Sequence, residues 1–146
     1  MTTRFEPGAV ATHKRKKLPH WDATHGTQFI SFHTAGVILD RRTAGVVAET
    51  LLHDDGTKYT LLAWCVMSDH VHVVLRTTNT IASIVKAWKS VSARKIRAGK
   101  VWQADYWDRL IRDSDELEKT ITYVLQNPAT DELEDWPYVK CYPDRI

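Results

Sequence analysis

Two apolar runs separated by a short break decide the fold. Lys-Tyr-Thr-Leu-Leu-Ala-Trp-Cys-Val-Met (58–67) is followed by Ser-Asp (68–69) and then by His-Val-His-Val-Val-Leu-Arg (70–76). The first run has few polar positions, the second alternates histidine and valine at its start, and Ser-Asp between them favours a tight turn. We therefore predict a β-hairpin. Its first strand has few polar positions and is expected in the centre of a sheet.

The second strand of this hairpin presents two histidines on one face. Side chains alternate between the two faces of a strand, so His70 and His72 point the same way. Val71, Val73 and Leu75 point to the other face and can fill the core. Two adjacent imidazoles are a natural pair of metal ligands. A sheet surface that carries two histidines without a metal gives the same pattern, so both interpretations stay open at this point.

The other elements extend outward from the hairpin. Short aromatic and β-branched runs predict strands, and apolar residues on one helical stripe predict helices. The predicted strands cover 27–34 and, as an edge strand, 106–112; the predicted helices cover 41–52, 80–98 and 114–127. Asp113 and Glu116 match a capping box at the start of the last helix, and Pro128 is predicted to end it. The order β-α-β-β-α-β-α predicts an α+β fold of ferredoxin-like type, an antiparallel sheet flanked by helices.

The composition is that of one globular domain. The chain has 146 residues, of which 43% are apolar and 26% charged. No run approaches the roughly 18 apolar residues of a membrane span, and the sequence does not begin with a signal-peptide pattern. The two cysteines, Cys65 and Cys141, are typical of free thiols in a reducing compartment. We expect a cytoplasmic protein that does not enter the membrane.

The charge is unevenly distributed along the chain, although the net charge is only +2. Residues 1–20 carry an excess of four positive charges and residues 79–112 an excess of six, whereas residues 113–146 carry an excess of six negative charges. Two basic blocks can form one surface that binds a polyanion. A solvated helix face next to a loose arm would produce the same distribution, so charge alone does not decide between them.

The predicted last helix carries a tyrosine and an asparagine one turn apart. Its apolar stripe is centred at about 30° on a helical wheel, with Leu117 at zero. Tyr123 lies at about 240° and Asn127 at about 280°, on the side opposite that stripe. Residues four apart are neighbours on a helix surface, so a phenol and an amide can serve one site here. A half-exposed surface tyrosine and a helix-capping asparagine are the alternative interpretation.

Taken together, these stretches resemble the single-tyrosine HUH transposases, an IS200-like family, and most closely the REP-associated tyrosine transposases of bacteria. Val-Met-Ser-Asp-His-Val-His (66–72) is similar to the family's Val-Met-Pro-Asn-His-Val-His. Val-Trp-Gln-Ala-Asp-Tyr-Trp-Asp-Arg-Leu-Ile-Arg (101–112) resembles its Trp-Gln-x-x-Tyr/Phe-x-Asp-x-x-Ile-Arg block. Tyr-Val-Leu-Gln-Asn-Pro (123–128) occupies the place of its tyrosine helix, and Leu-Pro-His-Trp (18–21) matches a common start.

The resemblance extends from about residue 17 to residue 137 and suggests how the chain is organised. It implies a basic N-terminal arm at 1–17, a transposase domain with the RRM-like HUH endonuclease fold at 18–137, and a C-terminal tail at 138–146. Two departures are visible. Ser68-Asp69 replaces Pro-Asn, and Ala-Thr-Asp-Glu-Leu (129–133) replaces the usual Val-x-Ala-Gly-Leu.

The resemblance implies a metal-dependent endonuclease and strand transferase for single-stranded DNA, which cuts next to hairpins such as REP hairpins through a 5′-phosphotyrosine. Tyr123 is the implied nucleophile. His70, His72 and Asn127 are the implied ligands of Mg²⁺ or Mn²⁺, with Gln126 as the alternative third ligand. The basic residues expected to contact the DNA backbone are Lys14, Arg15, Lys16, Lys17, Lys86, Lys89 and Arg97.

Other aromatic residues are candidates for roles in the site, and two other functions remain as alternatives. Trp21, Trp102 and Trp107 are candidates for stacking on unpaired bases, although core packing is favoured for Trp102. Tyr106 is the rival nucleophile, at a position where the family also accepts phenylalanine. The alternatives are a catalytically silent nucleic-acid-binding module on the same fold and an HUH replication initiator or relaxase. A monomer is favoured, and a dimer is possible.

Overall fold

The protein is described here by a computed structural model that covers residues 11–12, 26–130 and 135–146. Six strands and three helices are described in this part of the chain. The strands are β1 (Ala11–Thr12), β2 (Thr27–His33), β3 (Thr60–Val66), β4 (His70–Arg76), β5 (Trp107–Leu110) and β6 (Val139–Cys141). The helices are α1 (Arg41–His53), α2 (Ile81–Ile96) and α3 (Ser114–Thr130), and a 3₁₀ turn covers Pro143–Arg145.

The strands form one antiparallel sheet in the order β1-β5-β2-β4-β3-β6. Its four inner strands, β5-β2-β4-β3, are connected as β-α-β-β-α-β, which confirms the predicted ferredoxin-like α+β fold. The predicted hairpin is β3–β4. It closes with a hydrogen bond from the Met67 amide to the His70 carbonyl at 2.8 Å, and its strands lie in the interior of the sheet.

The two faces of the sheet are covered by different helices. On one face, α1 and α2 pack on a core that includes Ile30, Phe32 and Val73. On the other face, α3 packs on a smaller core that includes Phe29 and Val74. Because side chains alternate along β4, His70 and His72 share the face of Val74 and therefore lie under α3. We call this the α3 face and the other the α1/α2 face.

The last helix is longer than predicted. Pro128 does not end α3, which continues to Thr130, so that prediction is wrong. A proline removes one backbone hydrogen bond and crowds the preceding turn. Here it stands in the final turn of the helix, and its side chain is buried. Burial of the ring offsets the missing hydrogen bond.

The start of α3 shows one half of the predicted capping box. The Glu116 amide donates to the Asp113 carboxylate at 2.8 Å. The Glu116 carboxylate accepts from the Arg112 amide at 2.9 Å and from the guanidinium of Arg109 on β5. This cluster joins the first turn of α3 to the sheet.

The residues assigned by sequence to a C-terminal tail pack as an edge of the domain. β6 pairs with β3, and Trp136 donates its indole N–H to the Val66 carbonyl at 2.6 Å. Arg145 donates to the Leu61 carbonyl and to the Asp55 carboxylate, both at 2.9 Å. The pairing of β6 extends the sheet on the β3 side, and the contacts of Trp136 and Arg145 hold the residues on either side of β6 in place.

The opposite edge of the sheet also differs from prediction. β5 is not an edge strand, because β1, which falls in the predicted arm, pairs with it. The rest of that arm, including Lys14–Lys17, lies outside the described residues, as do Leu-Pro-His-Trp (18–21) and most of 129–133. None of the described helices has the length and apolar character needed to cross a bilayer.

Candidate active site

The paired histidines lie side by side on the α3 face, as the strand pattern predicts. Their ring centroids are 4.7 Å apart. The side chain of His70 is 14% exposed, and His72 is 6% exposed. Both belong to β4, whose neighbours on both sides are strands, so their backbone positions are fixed by two ladders of hydrogen bonds.

His72 is held from the neighbouring strand. Ser31 on β2 is its register partner, and the Ser31 hydroxyl lies 2.5 Å from the His72 Nδ1 atom. The ring of Phe29, two residues earlier on the same face, stacks on the imidazole at 5.4 Å. These two contacts fix the plane of the ring and engage Nδ1. A metal ligand role for His72 would therefore use its other nitrogen, Nε2.

His70 is held between a carboxylate and an amide. Its Nδ1 lies 2.8 Å from Asp69 Oδ1 and its Nε2 lies 3.1 Å from Asn127 Oδ1. A carboxylate only accepts, so Nδ1 carries the proton and donates. Asn127 donates its own amide N–H to the Tyr123 carbonyl at 2.8 Å, which leaves Oδ1 facing His70.

The contact between His70 Nε2 and Asn127 Oδ1 therefore joins two acceptors when the ring is neutral. Two facing lone pairs repel each other unless a cation, either a proton or a metal ion, lies beside them. An imidazole nitrogen and an amide oxygen are both suitable ligands of divalent cations. The donor set consequently fits the implied cation.

The helix α3 brings Tyr123 to the same place. The Tyr123 ring is half-buried, and its centroid lies 5.3 Å from that of His72 and 6.2 Å from that of Phe29. All of these residues belong to one chain. The phenol, two imidazoles and an amide thus converge on the α3 face without a contribution from a second molecule.

The predicted orientation of α3 is only partly correct. Tyr123 and Asn127 do share one side of the helix, but that side is not turned away from the core, because Asn127 is only 2% exposed. The buried stripe includes Thr120 and Val124, and Leu125 of the predicted stripe is 39% exposed. The stripe is displaced because two polar side chains, those of Thr120 and Asn127, face the sheet.

One histidine of the site was not singled out by the sequence. His33 ends β2 opposite His70, and the two rings stack at 5.5 Å. Its Nδ1 is buried and has no hydrogen-bond partner among the described residues. Burial, followed by the neighbouring His70, lowers the pKa of His33. The sequence does place His33 in the predicted strand 27–34. Its pairing with His70 depends on the register between β2 and β4, which the sequence pattern does not specify.

The third-ligand alternatives are placed differently. Asn127 contacts His70, whereas the neighbouring Gln126 is solvent-exposed. Among the described residues, no group of three or more His, Cys, Asp or Glu side chains has a metal-binding arrangement. A cation at this site would therefore be held by two imidazoles and an amide oxygen rather than by a carboxylate cluster.

The basic residues of α2 lie on the other side of the sheet. Lys86 is exposed, and so is Arg97, which ends the helix in the left-handed conformation at φ 58°. The Lys89 amine donates to the carbonyls of Gln103 at 2.7 Å and Asp105 at 2.9 Å, and burial lowers its pKa. Lys89 thus braces the 103–105 segment, whereas Lys86 and Arg97 present their charge to solvent.

The aromatic candidates separate into core and site residues. Trp102 is 5% exposed and donates to the Ser92 hydroxyl at 2.9 Å, so the favoured core role fits it. Tyr106 is 6% exposed and belongs to the core of the α1/α2 face. Trp107 is half-buried and meets His33 edge to face at 5.4 Å, beside the histidine pair. Trp21 is outside the described residues.

Comparison with known proteins identifies the family of this chain. The family model described as "Transposase IS200 like" matches residues 45–127, more than half of the chain and all of the β4 and Tyr123 residues of the site. This chain belongs to the IS200-like transposase family. The expected resemblance is thereby confirmed at the level of the family.

Two curated members of the REP-associated branch are similar over part of their length. A REP-associated tyrosine transposase of Escherichia coli is 21% identical, over 56% of this chain and 54% of its own. A Haemophilus influenzae protein, assigned provisionally to the same branch, is 24% identical over 57% of this chain and 59% of its own. This chain therefore spans less than two thirds of each of these IS200-like relatives.

A solved structure of the same branch has the same fold. It is described as a REP-associated tyrosine transposase bound to a REP hairpin. It superposes with a TM-score of 0.71 over 87% of this chain and 81% of its own, at 16% sequence identity. At that identity the superposition establishes a shared fold for the IS200-like domain.

Proposed function

We propose that this protein is a strand transferase for single-stranded DNA that uses Tyr123 as its nucleophile. The Tyr123 oxygen attacks the scissile phosphorus and forms a tyrosine–phosphate bond. The bond from phosphorus to the 3′ oxygen breaks, and that oxygen takes up a proton to become a free 3′-hydroxyl. The DNA on the other side of the cut stays attached to the protein through a 5′-phosphotyrosine.

Rejoining reverses these steps with a different end. The 3′-hydroxyl of another strand attacks the phosphotyrosine, and the Tyr123 oxygen leaves and regains its proton. The number of phosphodiester-type bonds is the same before and after each step, so no ATP is required. One site can therefore cut one strand and paste another.

The histidine pair and Asn127 are the residues that would hold a divalent cation, Mg²⁺ or Mn²⁺. When bound, the cation polarises the scissile phosphate and neutralises charge in the transition state. A free phenol has a pKa of about 10, so a positive charge beside Tyr123 would favour its deprotonated form. The facing acceptors of His70 and Asn127 support this assignment, and they favour Asn127 over Gln126.

The proposed substrate is single-stranded DNA next to a hairpin. Two observations support it: the related structure with this fold is described as bound to a REP hairpin, and exposed basic residues lie on α2. Phosphate contacts from lysine and arginine supply most of the affinity in such complexes. Trp107 beside His33 offers a surface on which an unpaired base next to the cut can stack.

The single observation that carries the proposal is that Tyr123 contacts His72, which lies beside His70, within one chain. This arrangement is compatible with the favoured monomer, since no exchange of α3 is needed to complete the site. It also separates Tyr123 from Tyr106, whose ring belongs to the core on the other side of the sheet.

The test is a cleavage assay on an end-labelled hairpin with single-stranded flanks, run with Mn²⁺ or Mg²⁺ on a denaturing gel. We expect a covalent protein–DNA band with the wild-type protein and with Tyr106→Phe, and none with Tyr123→Phe or His70→Ala. Native gels on the same samples measure binding separately. Binding without any covalent band would show a silent nucleic-acid-binding module instead.

A further inference from the structure

We infer that Ser31 is a positioning residue, whose hydroxyl holds the His72 ring in the form that binds a cation through Nε2. This inference rests on the proposed function, because it concerns the same site. Ser31 lies on β2, outside the residues 45–127 that match the family model.

The position of Ser31 is fixed by the sheet. β2 and β4 are paired along their whole length, with Ser31 opposite His72 and His33 opposite His70. Ser31 is 8% exposed and His72 is 6% exposed, so bulk water does not readily replace their contact. At 2.5 Å the hydroxyl and Nδ1 are within direct hydrogen-bond distance.

The two histidines are oriented by partners of different chemistry. Asp69 only accepts, so it keeps a proton on Nδ1 of His70 and a lone pair on Nε2 of the neutral ring. A serine hydroxyl can either donate or accept. Ser31 can therefore donate to a bare Nδ1 of His72, or accept from Nδ1–H when Nε2 is engaged by a cation.

Cation binding selects the second of these arrangements. A neutral imidazole that binds a metal ion through Nε2 must carry its proton on Nδ1. The Ser31 oxygen is a buried acceptor for that N–H, and losing this hydrogen bond carries a cost that lowers affinity for the ion. Hydrogen bonds to the distal nitrogen of ligand histidines commonly change metal affinity by 10–100-fold when removed.

The test measures Mn²⁺ affinity by electron paramagnetic resonance of the free ion, with wild type, Ser31→Ala, His72→Ala and Ser83→Ala. Ser83 is an exposed serine on α2 whose hydroxyl donates to the Thr80 carbonyl at 2.8 Å, far from the histidines, so its variant is the matched control. We expect Ser31→Ala to weaken Mn²⁺ binding by roughly 10-fold or more while the variant stays folded at the assay temperature, which circular dichroism checks. Ser83→Ala should bind Mn²⁺ like the wild type.

A second measurement reports the ring itself. ¹⁵N NMR of the histidine side chains in saturating Mg²⁺ should show Nδ1 of His72 protonated in the wild type. In Ser31→Ala at the same Mg²⁺ concentration the population of this form should fall. A merely structural serine would change the melting temperature and leave this signature in place.

The outcomes distinguish the inference from the proposed function. If His72→Ala loses Mn²⁺ binding and Ser31→Ala does not, the positioning role is refuted and the proposed site stands. A His72 ring that carries its proton on Nε2 in saturating Mg²⁺ also refutes it. If His72→Ala binds Mn²⁺ like the wild type, the cation site of the proposed function is wrong as well.

Discussion

Asn127 connects the tyrosine helix to the histidine pair. Its amide nitrogen donates to the Tyr123 carbonyl one turn earlier, and its amide oxygen faces His70. A side chain that is 2% exposed and makes both contacts fixes the rotation of α3 above β4. The same residue consequently serves the geometry of the site and its proposed cation.

The choice between Asn127 and Gln126 as the third ligand can be tested directly. Asn127→Ala removes the oxygen that faces His70, so we expect Mn²⁺ affinity to fall by at least about 10-fold, the lower end for perturbed metal sites. Isothermal titration calorimetry measures both variants. Gln126→Ala is the matched control on the same turn and should bind like the wild type; the reverse result would assign Gln126.

The site residues were predictable to the extent that a single element determines them. The spacing of His70 and His72 specifies a shared face because a strand has a period of two. Tyr123 and Asn127 are four apart, which specifies a shared side of one helix. His33 and Ser31 could not be assigned, because their role depends on which residue of β4 lies opposite each of them, and that register is a tertiary property.

A buried tyrosine joins three elements on the α1/α2 face. The Tyr59 hydroxyl donates to the Leu51 carbonyl at the end of α1 at 2.6 Å and accepts from the Trp88 indole of α2 at 2.9 Å. Tyr59 itself stands immediately before β3 and is 4% exposed. The phenol thus replaces water as the partner of two buried polar groups. Burial raises its pKa to about 12.

This environment predicts a specific loss of stability in alkali. The unfolded chain releases the Tyr59 proton near pH 10, whereas the folded protein keeps it up to about pH 12. Stability that is present below pH 10 is therefore lost as pH rises through this window, by an amount on the order of 2–3 kcal/mol for two pKa units. Urea unfolding at a series of pH values measures it.

Tyr59→Phe checks the assignment. The variant should be less stable at pH 7 by about 1–3 kcal/mol, because it leaves two buried polar groups without their partner. Its stability should then depend less on pH between 10 and 12 than that of the wild type. Tyr138→Phe makes the same change at a half-buried tyrosine. An equal flattening in both variants would contradict the role given to Tyr59.

At the level of elements, the patterns with a clear period were predicted well and the irregular ones were not. β3, β4 and α2 carry long apolar patterns and lie close to their predicted ranges. β6 is only three residues, Val139–Cys141, too short for alternation to be visible. The stripe of α3 was misplaced because Thr120 and Asn127 are buried polar residues, which a search for apolar residues passes over.

The candidate active site and the basic helix α2 lie on opposite faces of the sheet. The histidines and Tyr123 lie on the α3 face, whereas Lys86 lies on α2 and Arg97 at its C-terminal end, on the other face. A single strand that reaches both must pass around an edge or an end of the sheet. The basic residues of the arm, Lys14–Lys17, are the other source of positive charge in the sequence.

This separation predicts that binding and cutting respond to different substitutions. Changing Lys14, Arg15, Lys16 and Lys17 to Gln should weaken hairpin binding. The slope of log K against log salt concentration should become shallower by roughly 0.7–0.9 for each phosphate that is no longer neutralised. Lys86→Gln with Arg97→Gln should do the same to a smaller extent, because it removes fewer charges. Fluorescence anisotropy at several salt concentrations measures both.

The position of the cut is the internal control for these charge variants. It should not move, since phosphate contacts orient the DNA without reading its sequence. Binding that is as tight and as salt-dependent in both variants as in the wild type would place the DNA elsewhere on the surface. Lys89→Gln is excluded from the set, because its amine braces carbonyls of the 103–105 segment.

The proposed role of Tyr123 is tested by identifying the residue that carries the DNA. The wild-type protein is reacted with a flanked hairpin in Mn²⁺, the adduct is digested with nuclease and protease, and the peptides are sequenced by mass spectrometry. We predict a nucleotide linked through its 5′ phosphate to Tyr123 and to no other tyrosine. A nucleotide on Tyr106, or on any residue away from the histidine pair, would contradict the account.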